Sequence, residues 1–333
     1  MSRVLVTGSS GHLGEALVRR LQPETDVVAV DIRASSTTTH VGSIADALFV
    51  EDCMAGVSTV YHTATLHKPH VATHSKRDFI DTNVTGTLNL LESAVKQGVD
   101  AFVFTSTTSA FGEALRPAAD APAVWITEDT VAPSKNIYGA TKNAAEDLCH
   151  LFYRQHALPC LALRTSRFFL EADDNPDTRA SFPDANTKAN EFLNRRVDLE
   201  DVVEAHLLAA SHASRLPFQS LIISATSPFT QDDLTELRVD APAALARRIP
   251  RYRGIYERLG WTLNPSLDRV YVNDRARRLL GWQPRHSFET VLDALQAGCD
   301  PRSAIARSVG AKGYHEQVFS DGPYPIEDPQ NRF

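Results

Sequence analysis

The sequence predicts an α/β protein built on a doubly wound parallel sheet of about seven strands, followed by a smaller, partly helical C-terminal region. Three observations predict this. Through the first half, short continuous apolar runs alternate with longer amphipathic ones. Strands of that kind are buried on both faces and belong to parallel sheets covered by helices. Gly8, Gly11 and Gly14 stand between the first apolar run and the first helical pattern. Asp31 ends the second apolar run, 20 residues after Gly11.

In chain order, residues 4–7 form the first strand, closed by Gly8. Residues 13–21 carry Leu13, Ala16, Leu17 and Leu21 at helical spacing. Residues 27–30, 59–62 and 101–105 are further strands, and residues 87–95 set Leu88, Leu91 and Val95 on one side of a helix. A helix starting at Tyr138 runs through Leu148 and Phe152, and residues 161–164 and 220–223 read as later strands. The second half is less regular. Residues 171–190 are polar, rich in Asp, Asn and Pro, and read as a loop. Thr230 with Asp232 and Asp233 marks a helix start, since acidic residues suit the first turn. Asp240 followed by Ala241 and Pro242 marks another. A short basic helix over residues 274–280 ends at Gly281, and Ser287 can cap the next one. The stretch after Gly310 holds several Gly and Pro and is expected to wrap over the surface.

The length of 333 residues suits one or two domains. The division expected is a dinucleotide-binding domain over 1–165 and a mostly substrate-binding region over 166–333, with the strand near 220–223 returning to the sheet. Hydrophobic residues at 43% and charged residues at 23% describe an ordinary globular chain. A net charge of -7 leaves no basic excess for a nucleic-acid backbone. Cys53, Cys149, Cys160 and Cys299 form no C-x-x-C pair and read as small buried thiols of a reducing compartment. No apolar run approaches the ~20 residues of a membrane span. The chain enters a strand pattern at once, which leaves no room for a signal peptide, so a cytoplasmic location is the expectation.

The glycine spacing has a specific physical meaning. The strand must turn sharply into the helix and let a pyrophosphate approach the backbone. A Cβ at those positions would obstruct both, and the helix N-terminus then offers free N–H groups to the anion. This is the dinucleotide loop of a Rossmann-type sheet. A carboxylate at Asp31 accepts hydrogen bonds from the adenosine ribose hydroxyls and repels a 2′-phosphate, so NAD is expected over NADP. Arg33 nearby softens that preference. Tyr138 and Lys142 stand four residues apart on one helical face. A free phenol has a pKa of about 10. A neighbouring ammonium favours the phenolate and makes the pair a usable acid or base. The strand over residues 101–105 ends in Ser106, Thr107, Thr108 and Ser109, whose hydroxyls can bond a substrate oxygen at the carboxyl end of the sheet.

On these residues the chain resembles the extended short-chain dehydrogenase/reductases, the NAD-dependent epimerase/dehydratases. The elements in order are T-G-x-x-G-x-x-G, Asp31, residues 61–64, Asn83 with Gly86 and Thr87, residues 104–107 with Phe111 and Gly112, and Tyr138 with Lys142. Residues 197–202 and 276–282 resemble the family's C-terminal half. The resemblance implies that Tyr138 is the acid/base, that Lys142 holds the ribose and tunes the tyrosine, and that Thr107 orients the substrate oxygen. It places Gly8, Gly11, His12, Leu13, Gly14, Asp31, Thr63, Ala64, Thr65, Asn83, Ser106 and Thr165 along the cofactor. Ser43 and Ile44 would flank the adenine, although the family often has Asp where Ser43 stands. It also implies a homodimer paired through the helices over residues 87–95 and 138–152.

Departures from the family's patterns narrow the reaction. Dehydratases place Asp-Glu after the active-site threonine, where this chain has Thr108 and Ser109. Sugar-nucleotide epimerases have Asn where Arg167 stands, and Arg-Asp-Tyr/Phe where Asn194, Arg195 and Arg196 stand. Residues 164–198 are short for a nucleotide platform. The reading is an NAD-dependent oxidoreductase acting on a carbinol or keto carbon of a sugar-like or other small polar substrate. His67, Thr108 and Arg167 are candidate substrate contacts. Arg167 either binds a substrate carboxylate bidentately or sits in an ordinary ion pair. Two alternatives stay open: an epimerase working through a transient keto intermediate, and a dinucleotide-binding regulator. His62, His67, His70 and His74 fit no single helical face, and no metal site is expected. No G-x-S-x-G elbow supports a hydrolase. The expected partners are a small-molecule substrate and a second copy of the chain, with neither nucleic acid nor membrane.

Overall fold

The computed structural model describes residues 3–315 and 317–326. β1 (Arg3–Thr7) leads through the glycine loop into α1 (His12–Leu21), then β2 (Asp26–Asp31), β3 (His40–Val41), α2 (Ala47–Met54) and β4 (Thr59–His62). After α3 (Lys76–Ile80) and a wide turn of π-helix (Asp81–Thr85) come α4 (Gly86–Gln97), β5 (Ala101–Thr107), β6 (Val124–Ile126), α5 (Ile137–His156) and β7 (Cys160–Thr165). Seven strands form one sheet in the order β3-β2-β1-β4-β5-β7-β8, where β8 is Gln219–Ile223, and every pairing is parallel. The order reverses at β1, and the cleft lies outside the carboxyl ends of the strands, where such sheets bind ligands.

Alternation along each strand explains why both faces are apolar. Val4 and Val6 pack with Leu13, Leu17, Val202 and Trp282 on one side. Leu5 points the other way, into Val28, Val60, Leu90 and Phe102. Each buried aliphatic side chain contributes about 1.5–3 kcal/mol, so this two-sided core carries most of the stability of the sheet. Trp282 reaches it from far along the chain and donates its indole N–H to the Asp201 carbonyl at 3.0 Å.

The expectation of a loop over residues 171–190 fails. α6 (Pro176–Ser181) and α7 (Asp184–Glu191) occupy most of it. Asn175 caps α6 by accepting from the N–H groups of Asp177 and Thr178, with Pro176 at the first helical position. Polar composition there reflects a short, capped, exposed helix in α6 and a short helix in α7 that buries polar side chains such as Asn186, Asn190 and Glu191. Beyond α8 (Leu199–His212), the C-terminal region contains α9 (Leu234–Val239), α10 (Ala241–Arg248), α11 (Tyr252–Leu259), β9 (Arg269–Tyr271), α12 (Asp274–Leu280), α13 (Phe288–Gln296) and α14 (Ala304–Val309). β6 and β9 pair as a small parallel ribbon, and this region has its own core around Phe192, Leu193, Leu245, Tyr256 and Phe288.

The starts at Thr230, Asp240 and Ser287 are all occupied by capping residues. Cys53, Cys149 and Cys160 are buried, whereas Cys299 is exposed, contrary to the reading of four buried thiols. The stretch after Gly310 runs over the surface, with Val318 and Ile326 exposed, and is pinned by the buried Tyr314 and Tyr324. Among the described residues, no helix is long and apolar enough to cross a membrane.

Candidate active site

The glycine loop owes its shape to close packing. A Cβ on Gly14 would lie 1.9 Å from the Gly8 carbonyl oxygen. Gly8 itself adopts φ +72°, and a Cβ there would sit 2.8 Å from the Ala64 nitrogen. Thr7 locks this meeting of two strand ends: its hydroxyl oxygen accepts from the N–H groups of Thr63 and Ala64, each at 3.1 Å. It also lies 2.8 Å from His62 Nδ1, and His62 Nε2 lies 2.9 Å from the Thr87 hydroxyl. Burial holds the His62 pKa well below the usual histidine value, so this ring is a neutral brace. Asp31 is fixed at the end of β2, accepting from the Ser10 N–H at 3.0 Å and the Arg33 N–H at 2.9 Å.

A cleft of about 1110 Å³ runs along these strand ends. Of the residues singled out from sequence, it is lined by Gly8, Gly11, His12, Leu13 and Gly14 of the loop, and by Asp31, Ser43, Ile44, Thr63, Ala64, Thr65 and His67. Ser106, Thr107, Thr108, Tyr138, Thr165 and Arg167 line it as well. Two candidates do not line it. Asn83 is buried behind the residue 65–66 turn, accepting from Thr65 Oγ1 and the Leu66 N–H at 2.9 Å and donating to the Leu66 carbonyl and Thr141. Lys142 is also buried, and its ammonium donates to the Thr105 carbonyl at 2.6 Å.

Tyr138 meets Thr107 rather than Lys142. Burial raises the phenol to about 12, and a hydrogen bond with Thr107 opposes the rise. Burial also lowers Lys142 to about 7, against the pull of Glu146 one turn further along α5. Glu146 is anchored by the Arg164 guanidinium at 2.8–3.1 Å and by the Ser106 and Ser220 hydroxyls. His67 stands with its ring centroid 6.5 Å from that of Tyr138, and burial holds it neutral.

Apart from His12 and Arg167, the opposite wall comes from residues that sequence patterns did not single out. Glu171 accepts from the N–H groups of Lys312 and Gly313 and from the Tyr314 hydroxyl, and lies 2.9 Å from His12 Nε2. Burial opposes its charge, but His12 and these donors hold the carboxyl down at about 2. Lys312 also reaches Glu15 on α1, and the Tyr314 ring packs 4.9 Å from His67. Arg167 pairs with Asp173 at 2.9 Å and Glu191 at 3.3 Å, and its side chain remains 26% exposed. No periodicity or spacing joins Glu171 to Tyr314; only the fold does.

Residues 4–220 match the NAD dependent epimerase/dehydratase family. A UDP-glucose 4-epimerase of Lactobacillus helveticus is 24% identical over 325 residues, covering 85% of this chain and 92% of that protein. An L-arabinose 1-dehydrogenase (NAD(P)(+)) of Haloferax volcanii is 30% identical over 183 residues, which are 52% of this chain and 70% of that enzyme. Among solved structures, a short-chain dehydrogenase/reductase superfamily protein from Agrobacterium tumefaciens with bound NAD superposes with a TM-score of 0.65 at 24% identity. The superposition covers 89% of this chain and 97% of that one.

Proposed function

The chain belongs to the NAD-dependent epimerase/dehydratase family and is an NAD-dependent enzyme, and on that premise we propose that it oxidises or reduces a carbinol or keto carbon of a small polar, sugar-like substrate. The observation that carries this is the placing of Tyr138 beside Thr107, at the carboxyl end of β5, on the wall of the cleft that the glycine loop opens. The residues present fit the cofactor. The α1 N-terminus and residues 8–14 would hold its pyrophosphate, Asp31 its adenosine ribose, Ser43 and Ile44 its adenine, and Thr63–Thr65 and Thr165 its length. When bound, NAD supplies the hydride acceptor or donor and, oxidised, a positive charge.

The protein's own part is proton chemistry and orientation. With its pKa near 12, Tyr138 holds its proton at neutral pH and is set to act as an acid toward a keto oxygen. Acting as a base on a hydroxyl requires added positive charge, which Lys142 in its ammonium form contributes from one turn along α5. Thr107 orients the reacting oxygen, and His67, Thr108 and Arg167 contact the substrate. A homodimer paired through α4 and α5 would cover Leu151, an apolar α5 residue that is more than a third exposed.

Absorbance of NADH during incubation with NAD and a panel of sugars, sugar acids and hydroxy acids tests the reading. Steady accumulation with one compound, abolished in Tyr138→Phe, is the expected result. A second reading, epimerization with NAD regenerated each turnover, is favoured by the anchoring of residues 312–314 on Glu171 and α1, which would retain a bound cofactor. NAD binding without net NADH, together with a change in sugar configuration, selects it.

A further inference from the structure

We propose that Arg167, Arg195 and Ser166 form a subsite for a carboxylate of the substrate, beside the Thr107–Tyr138 pair. The proposal rests on the oxidoreductase reading and names the substrate class as a sugar acid or hydroxy acid. The sheet brings the parts together. Thr107 pairs with Thr165, so Ser166 and Arg167 follow directly beyond the strand end next to the proposed catalytic pair. Arg167 then runs alongside residues 195–197: its N–H donates to the Arg195 carbonyl at 3.1 Å, and the Val197 N–H donates to the Arg167 carbonyl at 2.9 Å. The two arginines thereby present neighbouring side chains to one cleft wall.

Charge and burial give this wall its sign. Arg167, Arg195 and Arg196 share two carboxylates, Asp173 and Glu191, so one positive charge is left over. Nearby Asp174 is taken by Lys68, and Arg269 by Asp268. The two shared carboxylates are buried, with side chains 5% and 4% exposed, whereas Arg167 and Arg195 are 26% and 28% exposed. The guanidinium groups thus form the accessible face and the acids its backing. Each pairs through a single terminal nitrogen, Nη1 of Arg167 and Nη2 of Arg195, so the forks are not consumed. A residual charge of one matches a carboxylate rather than a dianionic phosphate, and forked donors suit its two oxygens.

Ser166 supplies the independent sign of a ligand. Its side chain is 97% buried, lines the cleft, and has a hydroxyl with no hydrogen-bond partner among the described residues. A buried unsatisfied hydroxyl is costly unless a bound group completes it.

Calorimetric titration of the NAD-saturated protein tests this. The probes are D-glucuronate, D-gluconate and L-lactate, each against its neutral counterpart D-glucose, D-glucitol or 1,2-propanediol, with D-glucose 6-phosphate as the phosphate arm. One acid should bind at least tenfold more tightly than its counterpart. Arg195→Lys keeps the charge that holds Glu191 but loses the fork, and should weaken that acid about 10- to 100-fold. Ser166→Ala should weaken it with the melting temperature retained, because no protein partner is lost. If no acid outbinds its counterpart, if the phosphate ester binds more tightly than every acid, or if both variants keep wild-type affinity, the subsite is overturned. NADH formed only from neutral compounds would also overturn it, while leaving the oxidoreductase reading intact. Acid binding that both variants weaken, without NADH from any compound, would sustain the subsite and defeat that reading.

Discussion

The two walls of the cleft are built by different means. The cofactor wall is local: β1, the glycine loop and α1 lie within residues 3–21, and Asp31 follows at the end of β2. Its shape comes from backbone packing, such as the Gly14 contact with Gly8. The opposite wall joins Arg167, Glu171 and Asp173 to Glu191 and Arg195, and then to Lys312 and Tyr314 from the far end of the chain. It is held by ion pairs and hydrogen bonds among charged groups. A wall made of backbone contacts should fail sterically and at once. A wall made of shared charge should fail in a graded, pH-dependent way.

Four experiments break or sharpen that contrast. The largest effect is expected at Tyr138, on the locally built α5. Tyr138→Phe should lower kcat about 10²- to 10⁴-fold, the range for losing a positioned acid/base, with NADH binding retained in fluorescence titration. Retained turnover would remove Tyr138 from the chemistry. Next, Gly14→Ala places a methyl group 1.9 Å from a backbone oxygen that cannot move without the loop. NADH affinity should fall about 100-fold or the protein should melt earlier, as overpacking of about 1–3 kcal/mol or more implies. Wild-type affinity and melting would mean that the loop yields easily.

The graded effects belong to charge. Glu171 has a folded pKa near 2 against an ordinary 4.5. Its stabilisation is therefore complete above about pH 4.5 and is lost as pH falls toward 2. Glu171→Gln should lower the melting temperature at pH 7, with the gap closing below pH 4.5, and should speed NADH release in stopped flow about tenfold. A gap independent of pH would show that its packing matters rather than its charge. The smallest effect is at Lys142, whose folded pKa near 7 lies below its ordinary 10.5. The unfolded chain binds the extra proton between those values, so this lysine destabilises most below pH 7, and the cost fades as pH rises to 10.5. In the NAD-free protein, Lys142→Met should raise the melting temperature by a few degrees at pH 6 and less at pH 10. Equal shifts at both pH values would count against this account.

Legibility followed the same division. The strands over residues 4–7, 59–62 and 220–223 were readable because apolar runs of that length are strands wherever helices cover both faces. The caps at Thr230, Asp240 and Ser287 were readable because a cap acts within three residues. α6 and α7 were not, since short polar helices lack the apolar stripe that marks a helix. β3 is only two residues long and exposed, so it left no hydrophobic trace. The partners of Asn83 were not readable either: its amide is bonded to Leu66, Thr65 and Thr141, behind the cleft wall.

By itself the sequence determined the sheet class, the glycine loop, the position of Asp31 and the α5 face that carries Tyr138. These follow from chain chirality, spacing and period, which act over a few residues and need no knowledge of distant partners. Only the tertiary structure decided that Tyr138 meets Thr107 while Lys142 turns to the Thr105 carbonyl, because burial and reach select among partners on one helical face. Only it decided that Arg167 shares Asp173 and Glu191 with Arg195, and that Tyr314 returns across 143 positions of sequence to Glu171. Charge pairing acts through space and leaves no period along the chain, so such contacts exist only once the fold has brought the segments together.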